Sequence, residues 1–322
     1  MSAPQIVVLD GFSLNPGDLS WAALAALGSL CVYERTAPAD LLERAHAAPI
    51  LLTNKTPLDR AALQRLPALR YVGVLATGTN IVDLQTAREQ GVVVSNVPHY
   101  GADSVAEHTL GLMLEGQKRL APHAAAVRSG GWSGQPDFSF SVAPIGLLAQ
   151  KQLGLVGFGA IGQRVAELAR AFKMQVSVAR HGARAPSSAD VTLRELDELF
   201  ETSDIVSLHC PLTDETRHLV DARRLGLMRP SALLVNTARG GLVDEGALAA
   251  ALRAGTIAGA YLDVLGREPP PHDHPLVALP NCFVTPHIAW ASIEARRRLL
   301  EIAVANVEAF LGGRPSHVVT AG

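Results

Sequence analysis

A chain of 322 residues is longer than one compact core usually supports, so two domains are expected. Apolar residues make up 48% and aromatics only 5%, a globular composition whose core is mostly Ala, Leu and Val. A formal net charge of -2 gives no electrostatic reason for nucleic acid or an anionic membrane as partner.

Along the chain, short apolar runs alternate with amphipathic segments, the rhythm of strand-helix-strand units in which helices cover a parallel sheet. "QIVVL", "PILLT", "RYVGVL" and "VVVSNV" are predicted as strands of a first unit, with "LDRAALQRL" and "VDLQTAREQ" as helices between them. From Gly101 to Leu120 a long helical pattern follows, and the Gly, Ser and Pro-rich connection "RSGGWSGQPDFSF" leads into a second series. Its strands are predicted at "LGLVG", "QVSVA", "DIVSLH", "SALLVNTA", "IAGAYLDV" and "CFVTP". The last helix, "SIEARRRLLEIAVANVEAFLGG", ends at a glycine pair suited to a left-handed cap. The expected class is α/β, with no solenoid repeat.

Cys31, Cys210 and Cys282 are far apart and lack the CxxC spacing of a metal or redox site, so they are expected as buried thiols in a reducing compartment. No Lys or Arg precedes Arg35, so a cationic signal peptide is not expected. The longest stretch without a formal charge, His274 to Ile293, contains Pro275, Pro280 and Pro286, which suit a membrane helix poorly. A cytoplasmic protein is the expectation.

"LGLVGFGAIGQRVAELARAF" combines an apolar strand, a glycine-rich turn and an amphipathic helix, the fingerprint of a dinucleotide site. Gly157 permits the tight turn, Gly159 lets backbone approach a diphosphate, and Gly162 allows helix and strand to pack closely. The following strand leads into "RHGARAP" with no acid before Asp190. An acid there would bind the ribose hydroxyls of NAD and repel the 2'-phosphate of NADP. Its absence, together with Arg180 and Arg184, whose guanidinium groups pair with phosphate, predicts a preference for NADP, with NAD possible. His181 belongs to the same candidate segment.

Three residues with reactive side chains follow later strands, at the ends where open α/β sheets place ligands. Arg239 follows "LLVNTA", Glu268 follows "YLDVLGRE" and His287 follows "CFVTP". His272 and His274 in "PPPHDHP" have a metal-like spacing, but no cluster of further ligands is expected around them, the prolines mark a loop, and no metal is expected.

"GFGAIG", "HCPLTDETRHLV", "LLVNTARGGLVDEGAL", "AYLDVLGREP" and "VTPHIAWAS" resemble the successive motifs of the D-isomer-specific 2-hydroxyacid dehydrogenases. Within that family, "LTNKTPLD", "VLATGTNIVDLQTAREQGVVVSNVPHYGADSVAEHTLGLML" and "WSGQPDF" are most similar to the glycerate dehydrogenases and glyoxylate/hydroxypyruvate reductases. The resemblance implies a Rossmann coenzyme domain, residues 101–288, inserted in a flavodoxin-like substrate domain, residues 1–100 and 289–322. It also implies a homodimer and the reduction of a small 2-oxo acid to its D-2-hydroxy acid.

The same resemblance implies the roles. His287 would give a proton to the substrate carbonyl oxygen, and Glu268 would favour its imidazolium form. Arg239 would bind the substrate carboxylate and polarise the carbonyl. Ala76, Thr77 and Gly78 would add backbone N–H groups for that carboxylate, and Asn54 and Lys55 would belong to the substrate loop. Ala160 and Ile161 would lend N–H groups to the diphosphate, Cys210 and Pro211 would wall the adenosine, and Thr216 would approach the phosphates. Thr237, Ala238 and Asp263 complete the coenzyme set, Asp263 toward the carboxamide. Related readings are a D-lactate-type or phosphonate-oxidising dehydrogenase on the same scaffold. A dinucleotide-gated corepressor is a further reading, which the lack of a basic tract disfavours.

Overall fold

Runs of three to five residues rich in Val, Ile and Leu form twelve strands in a computed structural model that describes residues 3–180 and 191–320. The strands sort into two parallel sheets, and the chain divides into two compact units.

The first unit comprises residues 1–101 and 291–322. Its strands are β1 (Gln5–Val8), β2 (Ser29–Val32), β3 (Ile50–Thr53), β4 (Tyr71–Val74) and β5 (Val93–Ser95), in the order β2-β1-β3-β4-β5. β3 and β4 are buried at every residue, as strands covered on both faces must be. The strand order reverses between β1 and β3. The C-terminal helix Ile293–Leu311 packs on this sheet, its Phe310 ring 4.7 Å from Tyr71. Arg296, almost fully buried, bonds the Leu14 carbonyl and pairs with Asp18, while Asn306 donates to the Asn96 carbonyl. The segment after the helix turns at Gly313, φ 74°, and runs beside β5, where Val319 N–H donates to Val94.

The second unit, residues 102–290, has seven strands: β6 (Gln152–Val156), β7 (Gln175–Ala179), β8 (Thr192–Arg194), β9 (Ile205–Leu208), β10 (Leu233–Asn236), β11 (Gly259–Leu262) and β12 (Cys282–Val284). Their order, β12-β11-β10-β9-β6-β7-β8, is the doubly wound arrangement with its reversal between β6 and β9. One core, around Phe200, Leu234 and Leu248, lies on one face, and another, around Met113, Leu155 and Val165, on the other.

The structure adds β2 and β8 to the predicted strands. Both are edge strands, and their exposed or half-buried residues carry little apolar signal. The helix after Gly101 spans Ala102–Lys118 and stops where Arg119 turns left-handed, φ 53°. A new helix, Leu120–Arg128, begins there and buries none of its residues. Trp132 and Phe138 beyond it are exposed, 51% and 90%, so they do not fill the core. Among the described residues no helix is long and apolar enough to cross a membrane.

Candidate active site

The glycine turn joins β6 to the helix Ala160–Ala171. Gly157 has φ 102°, and a Cβ there would lie 2.5 Å from Cys210 N, so glycine is required twice over. A Cβ at Gly162 would lie 2.3 Å from the Gly157 carbonyl oxygen. Gly159 differs, because a Cβ there meets no atom within 4 Å and would project into open space above the helix N-terminus. Gly159 is also the N-cap and supplies no side-chain acceptor, leaving the first-turn N–H groups, Ala160 and Ile161 among them, to bind an anion. This cradle fits a dinucleotide diphosphate. Cys210 and Pro211 follow β9 beside it. Burial pushes the Cys210 thiol above its ordinary range, which disfavours the thiolate. Thr216 folds its hydroxyl back onto the Pro211 carbonyl, 2.8 Å.

Arg180 stands directly after β7, exposed, with Nε 3.0 Å from Glu195 Oε1. Its backbone N–H donates to the Arg194 carbonyl across the edge to β8. An acid does therefore stand near the end of the second strand, contributed by the residue after β8. His181 and Arg184 lie outside the described residues.

Arg239, Glu268 and His287 follow β10, β11 and β12, which are consecutive parallel neighbours with Asn236 opposite Leu262 and Leu262 opposite Val284. His287 Nδ1 is 2.6 Å from Glu268 Oε2, and Glu268 Oε1 accepts the Leu265 N–H at 3.0 Å. Both side chains remain partly accessible. Glu268 thus engages one ring nitrogen of His287, Nδ1. The Arg239 turn packs against the loop carrying Glu268, since a Cβ on Gly240 would lie 1.9 Å from the Leu265 carbonyl carbon. Arg239 is exposed, with one guanidinium nitrogen on the Ala238 carbonyl, and the Ala238 N–H is taken by the Asn236 side chain. Thr237 is buried, its hydroxyl 2.9 Å from that of Thr109.

Asp263 is 1% exposed, and its carboxylate accepts from Ile288 N–H, Ala289 N–H and the Thr285 hydroxyl. The Asp263 carbonyl accepts the His287 N–H, and His287 itself has φ 54°. The strained backbone of His287 is therefore bracketed on both sides by one residue. His108, on the helix Ala102–Lys118, donates from Nε2 to the Thr285 hydroxyl at 3.0 Å because that hydroxyl already donates to Asp263. Of the paired histidines in "PPPHDHP", His274 is buried against Glu245 and His272 is exposed. Among the described residues no group of three or more His, Cys, Asp or Glu could hold a metal.

In the first unit, Asn54 and Lys55 follow β3, and Ala76, Thr77 and Gly78 follow β4, so the two substrate-loop candidates share one sheet edge. Asn54 is buried and Lys55 exposed. The Ala76 carbonyl accepts from Val97, and the Thr77 hydroxyl donates to the Val97 carbonyl. Sequence reasoning missed Asp10, which organises the loop after β3, and also Glu195 and His108. A polar residue directly after a buried strand was the available signal for Asp10.

Residues 110–289 match the D-isomer specific 2-hydroxyacid dehydrogenase, NAD binding domain. Over 320 residues, 98% of this chain and 99% of the relative, the sequence is 43% identical to a hydroxypyruvate reductase of Blautia hydrogenotrophica. It is 42% identical to a glycerate dehydrogenase of Methylorubrum extorquens, covering 90% of this chain and 91% of that one. Among solved structures, the TT0316 protein of Thermus thermophilus is similar with a TM-score of 0.86 at 37% identity, covering 98% of this chain and 99% of its own.

Proposed function

The chain belongs to the D-isomer-specific 2-hydroxyacid dehydrogenases, nicotinamide-dependent oxidoreductases of small 2-oxo and 2-hydroxy acids, and from that premise we propose that it reduces hydroxypyruvate or glyoxylate with NADPH preferred over NADH. The observation that carries the reading is the His287–Glu268 pair at 2.6 Å, on the same sheet edge as Arg239. When bound, the reduced nicotinamide supplies the hydride that the substrate carbon accepts. His287 gives the Nε2 proton to the carbonyl oxygen as that oxygen gains charge, and recovers a proton from solvent after product leaves. Glu268 keeps the ring oriented through Nδ1 and offsets its positive charge. Arg239 takes the substrate carboxylate through paired N–H bonds and draws charge from the carbonyl.

In the same reading, Ala160 and Ile161 hold the diphosphate, Cys210, Pro211 and Thr216 border the adenosine and phosphates, and Thr237, Ala238 and Asp263 border the carboxamide. Arg180 favours the 2'-phosphate. Ala76, Thr77 and Gly78 supply N–H groups to the substrate carboxylate. The protein works as a homodimer in the cytoplasm. Supporting the dimer, Leu120, Val127, Trp132, Phe138, Ile145 and Leu147 are exposed apolar side chains clustered within one stretch of the second unit. The cysteines are free thiols.

Initial rates of hydroxypyruvate and glyoxylate reduction, with NADPH and NADH varied separately, test the reading. A higher kcat/KM with NADPH supports it whole, equal use of NADH removes the coenzyme preference, and no turnover removes the substrate class. Sedimentation at twice 34.0 kDa is expected, and a monomer overturns the dimer.

A further inference from the structure

The strand order of the first unit reverses between β1 and β3, and in open α/β sheets the crevice at such a reversal, beyond the carboxyl ends of the strands, is where ligands bind. Here that crevice holds a carboxylate of the chain itself. Asp10 lies just beyond β1 and is 8% exposed. Its Oδ1 accepts the Asn54 N–H at 2.8 Å, and its Oδ2 accepts the Lys55 N–H at 2.5 Å and the Thr56 N–H at 2.7 Å. The Thr53 hydroxyl stands 3.4 Å from Oδ2 and bonds the Thr56 carbonyl at 2.9 Å. Consecutive N–H groups converging in this way form an anion-binding concavity, and Asp10 fills it.

The neighbouring loop after β4 is built in the opposite sense. The Leu75 N–H is tied to Thr53, and the Ala76 carbonyl and Thr77 side chain are tied to Val97. The Asn96 side chain holds the Thr77 carbonyl. Among the described residues, the N–H groups of Ala76, Thr77 and Gly78 donate to no protein acceptor. One loop of this sheet edge has its donors consumed from within, and the other keeps them free while its carbonyls are fixed.

We infer that Asp10 is a positioning residue of the substrate site. Its carboxylate closes the β3 loop to external anions, sets the backbone from which Lys55 leaves the sheet edge, and leaves recognition of the substrate carboxylate to the loop after β4. This rests on the reading of the protein as a 2-oxo acid reductase. It assigns to Asp10 no contact with substrate. Its effect passes through the backbone of Asn54, Lys55 and Thr56 to the Lys55 side chain.

The test uses the full-length protein and Asp10→Asn, in which an amide N–H must face a backbone N–H. Hydrogen exchange of the amides of residues 54–56 should accelerate at least tenfold. KM for hydroxypyruvate should rise about tenfold with kcat within twofold and KM for the coenzyme unchanged. Lys55→Met should raise KM for hydroxypyruvate too, and the double variant should be no worse than Lys55→Met alone, because both changes act through one side chain. Asp10→Glu, which keeps the acceptor one methylene further out, serves if Asp10→Asn melts early, and an intermediate KM is expected. Faster exchange with hydroxypyruvate KM unmoved would make Asp10 a fold residue only and overturn the inference. Independent, multiplying effects of the two substitutions would overturn it as well. A wild-type protein that turns over no 2-oxo acid removes the functional reading first and the inference with it.

Discussion

His287 Nδ1 and Glu268 Oε2 stand 2.6 Å apart although the two residues come from different loops, one after β11 and one after β12. Glu268 is itself held by the Leu265 N–H, and the His287 backbone by Asp263, so ring position is determined from both ends. His287→Asn should lower kcat for hydroxypyruvate reduction about 10²- to 10⁴-fold, the usual size of a positioned proton donor. KM for the coenzyme should stay within about twofold. Glu268→Gln keeps an acceptor for Nδ1 and loses only the charge, so its kcat should fall less than that of His287→Asn. Steady-state kinetics on both variants would check the order, and a reversal would make Glu268 the proton donor.

Much of this edge was legible in the sequence because each reactive residue follows an apolar strand and the glycine turn precedes a helix. Asp10 was not legible in its role, since it bonds residues 44 to 46 positions away through backbone N–H groups that carry no side-chain signature. Glu195 escaped for a similar reason: it meets Arg180 only because β8 adds to the sheet beside β7. The edge strands β2 and β8 have too few buried residues to announce themselves, and the helix Leu120–Arg128, which buries none of its residues, leaves no apolar stripe to read.

The three glycines of the turn answer to different constraints and should fail differently. Gly159→Ala places a methyl in open space, so melting temperature should stay within about 2 °C while KM for the coenzyme rises about tenfold or more. Gly162→Ala drives a methyl against the Gly157 carbonyl and should lower the melting temperature by several degrees before any kinetic effect is read. Thermal unfolding and coenzyme KM on the same samples separate the two. Loss of stability in Gly159→Ala would mean that this position is packing and not cradle.

Arg180 Nε stands 3.0 Å from Glu195 Oε1, so on the proposed coenzyme preference a ribose phosphate would compete with this carboxylate for the guanidinium. Arg180→Glu should lower kcat/KM for NADPH at least tenfold and spare or improve NADH. Glu195→Gln should raise kcat/KM for NADPH about two- to threefold, the modest scale of an exposed ion pair, and the gain should shrink with added salt. An Arg180→Glu protein with an unchanged coenzyme ratio would return this arginine to the general surface.

His209 makes the stability of the protein depend on pH from a position directly behind the glycine turn. Its Nε2 is 2.9 Å from the Ser207 hydroxyl, and among the described residues its buried Nδ1 has no hydrogen-bond partner. Burial brings its pKa down from 6.5 to about 4. The folded protein therefore keeps the ring neutral where the unfolded chain protonates it. The corresponding stability is fully present above pH 6.5 and is lost as pH falls toward 4, about 3 kcal/mol in all and about 2 kcal/mol of it by pH 5. His209→Gln removes the titrating group, so its urea unfolding free energy should fall less between pH 7.5 and pH 5 than that of the wild type, by about 2 kcal/mol. Parallel pH dependences in the two proteins would show that the ring is hydrated in the folded state and that acid sensitivity arises elsewhere.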